Sequence, residues 1–247
     1  MWTEIRTAYR DSWMVALTYP LLFALPVAAE FAQHVVEQGI GMYASLEAME
    51  AAGDNGWRMG FGVVKVLSLF MLVYWVSRAL AALHGAALRV LGDRHSARLF
   101  AGVVVWSLVT GMLQLFGGHL ISPYLTSRAA LIVGALFVIA LIVCDIYLSA
   151  WKIGASLGNA RLSFTRSFSV MHGNFWWSLG YFILMFLPLM ALHYAFAVLA
   201  VGKGPIVLWA LLALDALTVG YLGIVLVATS YAIARRGAAR KGEALLP

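Results

Sequence analysis

Three ionisable side chains, Glu30, His34 and Glu37, occupy positions i−4, i and i+3 of an apolar stretch near the N-terminus. On a helix this spacing places all three on one face. Imidazole and carboxylate are suitable ligands for zinc or iron, and His119 and His193 offer further imidazoles. These five residues therefore form a candidate divalent-metal site, with bis-histidine haem as a variant that requires two imidazoles facing each other.

Two more charged residues, Lys65 and Asp215, lie inside apolar stretches. Ionisable groups within a membrane are costly, so each is a candidate functional residue. Lys65 can either pair with Glu30 or extend towards the membrane surface. One interpretation places these residues in a polar cavity open to the outside, and the alternative treats them as separate structural pairs. The proposed cavity residues are Glu30, His34, Lys65, His119, His193 and Asp215.

The elements that must position these residues are six apolar stretches of membrane-spanning length. The chain is 63% hydrophobic and 11% charged, with a mean hydropathy of +0.88, and about 20 apolar residues span a hydrocarbon core of about 30 Å. We therefore expect an all-α polytopic helical bundle, with one transmembrane domain at 1–247. The predicted spans are 13–35, 59–78, 99–121, 129–150, 175–201 and 205–233.

Lysine and arginine are distributed unequally between the two sides of this bundle. Of the 17 basic residues, 13 precede the first span, follow the last, or lie in the second and fourth connections. The positive-inside rule then predicts that both termini lie in the cytoplasm. Along straight helices rising about 1.5 Å per residue, His34, His119 and His193 would lie about 27 to 31 Å from the inner end of their spans, near the outer interface.

The N-terminus has an alternative interpretation as a signal peptide. Arg6 and Arg10 precede an apolar run that reaches the small residues at 27–29, a pattern typical of a cleavage site. Retaining the segment gives an even number of spans and keeps the basic C-terminus inside. We therefore expect the segment to remain as the first span.

The cytoplasmic connections have amphipathic character. Apolar residues recur at helical spacing over 153–168, and such a helix can lie in the lipid headgroup region or pack beneath the bundle. A shorter helix is expected at 79–91, ended by Gly92. Basic residues beside the spans attract anionic headgroups. The residues expected to form the lipid-surface connector are Lys152, Arg161, Phe164, Arg166 and Phe168.

Part of the chain resembles a bacterial family. The resemblance rests on four short motifs: ASLGNARLS at 155–163, Ser167-Phe168, NFW at 174–176 and Leu187-Pro188. The resemblance is clearest over 145–190. In this region the chain is similar to the YciC-like proteins, which are related to the membrane domain of some glycerophosphoryl diester phosphodiesterases. The resemblance implies a six-helix membrane module. It does not imply phosphodiesterase activity, because that catalytic barrel needs roughly 250 residues.

The sequence contains no phosphate-binding loop, GxSxG, HExxH or glycine-rich dinucleotide motif. We therefore do not expect an enzyme, although an intramembrane enzyme built on His34 and Glu30 is the remaining enzymatic alternative. The leading hypothesis is a non-catalytic inner-membrane protein that binds lipid or supports envelope homeostasis or a larger membrane complex. The first alternative is a small oligomeric transporter or channel that uses Asp215 and Lys65, and the second is a metal- or haem-binding membrane subunit.

The expected partners follow from the same features. Membrane lipids, including anionic headgroups, are expected to bind, together with a second copy of the chain or a partner in a membrane complex. The net charge of +6 is accounted for by residues flanking the spans, so no nucleic-acid partner is expected. No cofactor is expected under the leading hypothesis.

Overall fold

The computed structural model is helical. Helix makes up 83% of it, and no strand occurs in the part it describes, which is residues 1–118, 124, 126 and 128–247 with their side chains and the helical backbone at 119–121 and 127. The all-α fold class is confirmed. The helices are α1 Trp2–Thr18, α2 Pro20–Gly39, α3 Leu46–Ala51, α4 Gly56–Leu83, α5 Arg94–Ile121, α6 Ser127–Leu157, α7 Phe164–Met171, α8 Phe175–Ala200 and α9 Pro205–Arg240, with a 3₁₀ turn at Ala52–Asp54.

Five helices, α4, α5, α6, α8 and α9, are each long and apolar enough to cross a membrane. Helices α1 and α2 meet the same criterion only together, as a bent pair, and would supply a sixth span. A membrane protein of five to six spanning helices is therefore supported. The bacterial inner membrane and the cytoplasmic termini stay predictions.

The first span expected at 13–35 is not one continuous helix. Helices α1 and α2 meet at Tyr19 with a bend of 92°. Pro20 opens α2, where a helix needs no N–H donor, and a residue before proline avoids the helical conformation. Tyr19 accordingly has φ −127° and ψ 66°. The depth of His34 counted from Trp13 along a straight helix therefore does not apply.

The single amphipathic helix expected over 153–168 is also wrong. Helix α6 continues to Leu157, and Gly158 ends it with a left-handed φ of 90°, which glycine adopts without steric cost. Helix α7 then begins after Ser163, whose side chain accepts a hydrogen bond from the Arg166 N–H. The connector is thus the end of one long helix, a turn and a short helix.

The second connector helix, expected at 79–91, ends much earlier. Helix α4 finishes at Leu83, and Gly85 has a left-handed φ of 89° just after it. Gly92 also has a left-handed φ, but it precedes α5 rather than closing a helix. Both Gly85 and Gly92 fit the pattern of a glycine that follows the end of a helix, and the sequence alone did not distinguish between them.

The chain divides into two compact units. The first comprises Met1–Leu72 and Tyr181–Thr229, and the second comprises Val73–Gly180 and Ser230–Pro247. Helices α4, α8 and α9 contribute residues to both. Every residue of the candidate site described below belongs to the first unit.

Two glycines allow α9 to pack closely within the first unit. A Cβ atom on Gly220 would lie 2.3 Å from Cγ2 of Val27 in α2, and a Cβ atom on Gly223 would lie 2.8 Å from Cδ1 of Leu72 in α4. Small residues permit such close approach between membrane helices. This packing sets α9 against α2, which carries Glu30 and His34, and against α4, which carries Lys65.

Tyrosine hydroxyls hold α1 within the first unit. Tyr9 donates to the carbonyl of Met185 in α8 at 3.1 Å, and Tyr221 of α9 donates to the carbonyl of Tyr9 at 3.0 Å. Tyr181 donates to the carbonyl of Glu4 at 3.2 Å. These bonds give buried hydroxyls the partners they require and tie α1 to α8 and α9.

A buried arginine organises the second unit. Arg78 donates to the carbonyls of Arg89 and Ser156, both at 2.8 Å, and pairs with the carboxylate of Asp93 at 3.1 Å. A buried guanidinium is tolerated when its donors are satisfied in this way. Arg78 thus joins α4 to the segment before α5 and to the end of α6.

Candidate metal centre

Four side chains from three helices converge inside the first unit. Asp215 of α9 lies at the centre, with His34 Nε2 3.0 Å from its Oδ2 and His193 Nδ1 2.7 Å from its Oδ1. Glu30 Oε1 lies 3.6 Å from His34 Nε2. Candidate ligand atoms of Glu30, His193 and Asp215 all lie within 4.8 Å of one another. His34 is not part of that three-residue group, but its Nε2 contacts two of the members, Asp215 and Glu30.

Three of these four converging side chains are almost fully buried. Asp215 is fully buried, while Glu30 and His34 are 1% and 2% exposed. Asp215 Oδ2, His34 Nε2 and Glu30 Oε2 have no partner with hydrogen-bond geometry, although they lie at ion-pair distances from neighbouring groups. Buried polar atoms are nearly always hydrogen-bonded. These three atoms are instead matched by close ion-pair contacts, His34 with Asp215 and Glu30 with Lys65, and a bound cation would replace those contacts.

The other ring nitrogen of His34, Nδ1, is fixed by Glu37 and Tyr43. Nδ1 lies 2.9 Å from Glu37 Oε2 and 3.0 Å from the Tyr43 hydroxyl, which itself donates to Glu37 Oε2 at 2.7 Å. An ionised carboxylate only accepts, so Nδ1 carries the proton that bonds to Glu37. Nε2 faces the carboxylates of Asp215 and Glu30, and its lone pair becomes available to a metal once it loses its proton. Metal-binding histidines are oriented by a carboxylate in the same manner.

Glu37 is saturated by its protein partners, which corrects its assignment as a metal ligand. Its Oε2 accepts from His34 and Tyr43, and its Oε1 accepts from Gln33 Nε2 at 2.8 Å and from Arg58 Nε at 3.0 Å. Helical spacing put Glu37 on the face of His34, but it could not tell which side of the imidazole each carboxylate meets. Glu30 lies near Nε2 of the ring, and Glu37 lies near Nδ1.

Lys65 of α4 completes the charges around the site. Its Nζ lies 2.9 Å from Glu30 Oε2 and 3.3 Å from Oε1, so it spans both oxygens of that carboxylate. Of the two interpretations weighed for Lys65, pairing with Glu30 is the one the structure shows. The Lys65 side chain is 21% exposed and that of His193 is 17% exposed, so these two residues lie on the more accessible side of the site.

Tyr43 is fixed although it lies in the turn after α2. Its carbonyl accepts from the Gly202 N–H at 2.9 Å, and its ring packs in a cluster with Met42, Leu208 and Leu212. Burial, reinforced by the Glu37 carboxylate, raises the pKa of the Tyr43 hydroxyl well above its usual range. The hydroxyl therefore remains a hydrogen-bond donor to Glu37.

Five of the six proposed cavity residues form one cluster. The structure brings together Glu30, His34, Lys65, His193 and Asp215 as one cluster, in which the same atoms contact several partners. The side chain of His119 lies outside the described residues. The interpretation of isolated pairs does not describe this cluster, because Asp215 contacts both histidines and Glu30 contacts both His34 and Lys65.

The connector residues belong to the second unit. Lys152 forms an ion pair with Asp145, and Arg166 forms one with Glu243. Arg161 is exposed. These charges have local partners or face the surface, so none of them is available to the metal centre.

The aromatic residues of the connector pack and remain partly exposed. Phe164 contacts the rings of Trp106 and Trp151, and Phe168 stacks on Tyr147. Both phenylalanines still expose more than a third of their surface. The structure therefore shows the packing of both rings, and contact of the connector with lipid stays a prediction.

Three residues of the site were not recognised in the sequence: Gln33, Tyr43 and Arg58. Gln33 stands four residues before Glu37, a spacing that permits the observed hydrogen bond. Arg58 is a basic residue in a connection otherwise rich in acids. No pattern singles out Tyr43, because its position depends on how the turn after α2 folds back.

No protein-family model, curated protein or solved structure matches this chain.

Proposed function

We propose that this chain is a multi-pass membrane protein that binds one divalent transition-metal ion, of the zinc or iron(II) class, through Glu30, His34, His193 and Asp215. The carrying observation is geometric: ligand atoms of Glu30, His193 and Asp215 lie within 4.8 Å of one another, and His34 Nε2 lies 3.0 Å from Asp215. Two imidazoles and two carboxylates form a ligand set that suits these ions. Glu37 and Tyr43 support it by orienting His34.

Charge balance supports a cation at this place. Three buried carboxylates, Glu30, Glu37 and Asp215, face two permanent cations, Lys65 and Arg58. The third positive charge has to come from a protonated imidazole or from a bound ion, because uncompensated charge in the interior is costly. A divalent ion that binds His34 Nε2 releases the imidazole proton and supplies positive charge in its place.

The geometry favours an ion over haem. Both imidazoles contact the same carboxylate of Asp215. Bis-histidine haem needs a porphyrin ring between its two axial nitrogens. The Asp215 carboxylate occupies that space, so the haem variant requires a different arrangement of α9.

The direct test is metal binding by the full chain in lipid nanodiscs. We expect about one Zn²⁺ per chain by elemental analysis and calorimetry, and a visible spectrum of four-coordinate Co²⁺ when Co²⁺ replaces it. His34→Gln and His193→Gln should each abolish stoichiometric binding. His172→Gln, which alters an exposed histidine of the second unit, is the matched control and should bind normally. Absence of stoichiometric Zn²⁺ and Co²⁺ from well-folded protein would contradict the proposal.

A second candidate function is binding of anionic lipid through α7. It is supported by the partly exposed Phe164 and Phe168 next to the exposed Arg161, and by the resemblance to the YciC-like membrane module. Native mass spectrometry in nanodiscs containing phosphatidylglycerol should show retained lipid. The double change of both phenylalanines to alanine should reduce that retention, and unchanged retention would argue against this role.

A further inference from the structure

The metal centre proposed above contains a cation of its own. Lys65 spans both oxygens of Glu30, at 2.9 and 3.3 Å from Nζ. Glu30 is buried and also lies 3.6 Å from His34 Nε2. A metal ion and the Lys65 ammonium therefore need the same carboxylate.

Electrostatics disfavours simultaneous occupation by both cations. The three carboxylates Glu30, Glu37 and Asp215 are balanced by one divalent ion together with Arg58. Keeping the Lys65 ammonium in contact with Glu30 would add one positive charge next to the metal. At a separation of about 4 Å, repulsion between cations is substantial even at the effective dielectric of a protein surface.

The Lys65 side chain has a route away from Glu30. It is 21% exposed, whereas Glu30 is almost fully buried. Its four-carbon stem is flexible and lets the ammonium move towards the aqueous or headgroup surface while the backbone of α4 stays in place. The cation can leave the carboxylate without a helix movement.

We infer that Lys65 is a tethered counter-cation that occupies Glu30 in the metal-free protein and is displaced when a divalent ion binds. This inference rests on the proposed metal-binding function and adds its regulation. Lys65 keeps the buried carboxylate neutralised until the ion arrives. It then lowers the apparent affinity by competing for Glu30, which favours exchange of the ion over permanent retention.

The first experiment measures the accessibility of the Lys65 amine in the wild-type chain. Acetylation by an amine-reactive ester is followed by peptide mass spectrometry in nanodiscs, with and without Zn²⁺. We expect Zn²⁺ to raise the rate of Lys65 acetylation several-fold. Lys203, which is exposed, is the internal reference and should not change. An unchanged or lower rate at Lys65 would overturn the inference.

The second experiment removes the charge while keeping the length of the side chain. Lys65→Met should bind Zn²⁺ about tenfold more tightly than wild type, and Lys65→Arg should bind no more tightly than wild type. Lys203→Met makes the same change in net charge at an exposed site and is the control. Equal or weaker binding by Lys65→Met would show that Lys65 only positions Glu30, and would overturn the inference.

The two proposals fail in different ways. Wild-type protein that binds no Zn²⁺ refutes the metal centre itself. Wild-type protein that binds Zn²⁺, with no change in Lys65 acetylation, refutes only the role of Lys65. The acetylation experiment uses unaltered protein, so the result stands even where Lys65→Met fails to fold.

Discussion

His34 Nε2 lies 3.0 Å from Asp215 Oδ2, which joins α2 near the start of the chain to α9 near its end. This relationship turns two isolated buried polar residues into one site. Glycines at 220 and 223 permit the close packing of α9 on its neighbours, and the polar contacts depend on that packing.

Asp215 is the central ligand, so its charge should dominate binding. Asp215→Asn preserves the shape of the side chain but replaces a carboxylate oxygen with an amide group. We expect Zn²⁺ affinity to fall by at least about 100-fold, because loss of supporting groups alone costs 10 to 100-fold. Calorimetry measures the affinity, and far-ultraviolet circular dichroism checks that helix content is retained. Binding within a factor of two of wild type would remove Asp215 from the ligand set.

The supporting role of Tyr43 gives a separate prediction. Tyr43→Phe removes the hydroxyl that lies 2.7 Å from Glu37 Oε2 and 3.0 Å from His34 Nδ1. Zn²⁺ affinity should fall by about 10 to 100-fold with unchanged stoichiometry, since the ligands remain and only their orientation loosens. Tyr19→Phe makes the same change outside the cluster and serves as the control.

Close packing at Gly220 predicts opposite effects of the same change at two glycines. Gly220→Ala should lower stability by about 1 to 3 kcal/mol, because the new Cβ would lie 2.3 Å from Val27 and 3.1 Å from the carbonyl oxygen of Phe23. Gly117→Ala in α5 meets no atom within 4 Å and should be neutral or stabilising, by up to about 1 kcal/mol from helix propensity. Thermal unfolding in detergent measures both. A stable Gly220→Ala protein would contradict the packing of α9 on α2.

Asp93 predicts a pH dependence in the second unit. Its Oδ1 accepts from the Ser96 N–H at 2.9 Å, and this bond to the carboxylate holds the pKa of Asp93 below its usual range. Because this pKa is lowered, the ionised carboxylate stabilises the fold at pH values above the pKa of Asp93 in the unfolded chain, about 3.9. This stabilisation is lost as the pH falls through the lower pKa of Asp93 in the folded chain. Asp93→Ala should therefore cost about 1 kcal/mol at pH 7, and less at pH 3.

The control for Asp93 is Asp93→Asn. Its side-chain oxygen can still accept from the Ser96 N–H in the first turn of α5, but the amide does not titrate. Its stability relative to Asp93→Ala should not vary between pH 7 and pH 3. Thermal midpoints at both pH values provide the comparison. A pH-independent difference between wild type and Asp93→Ala would show that the cap does not depend on the charge of Asp93.

Metal removal should affect stability through the same cluster. A ligand that binds only the folded state stabilises it by about 2.7 kcal/mol at 100 times its dissociation constant. Chelation of Zn²⁺ should thus lower the unfolding temperature of wild-type protein. The His193→Gln protein should show no such change, and an equal shift in both proteins would mean that the ion acts elsewhere.

Much of the architecture was determined by the sequence itself. Long apolar stretches require helices in a membrane, because every backbone polar group must be satisfied internally. The same physics singled out Glu30, His34, Lys65, His193 and Asp215, since charged and polar groups inside such stretches are expensive. The sequence also places Pro20 inside the first apolar stretch, where a proline breaks the helical hydrogen-bond pattern. It did not predict the size of the resulting bend.

Only the tertiary structure decided how these residues meet. The 92° bend at Tyr19 invalidated depths counted along a straight helix, and the packing of α9 on α2 placed Asp215 between the two histidines. Local spacing put Glu30 and Glu37 on one face, but side-chain direction assigned the first to the site and the second to its support. Helix periodicity is a local property, whereas convergence of polar atoms depends on which helices are neighbours and at what depth they cross.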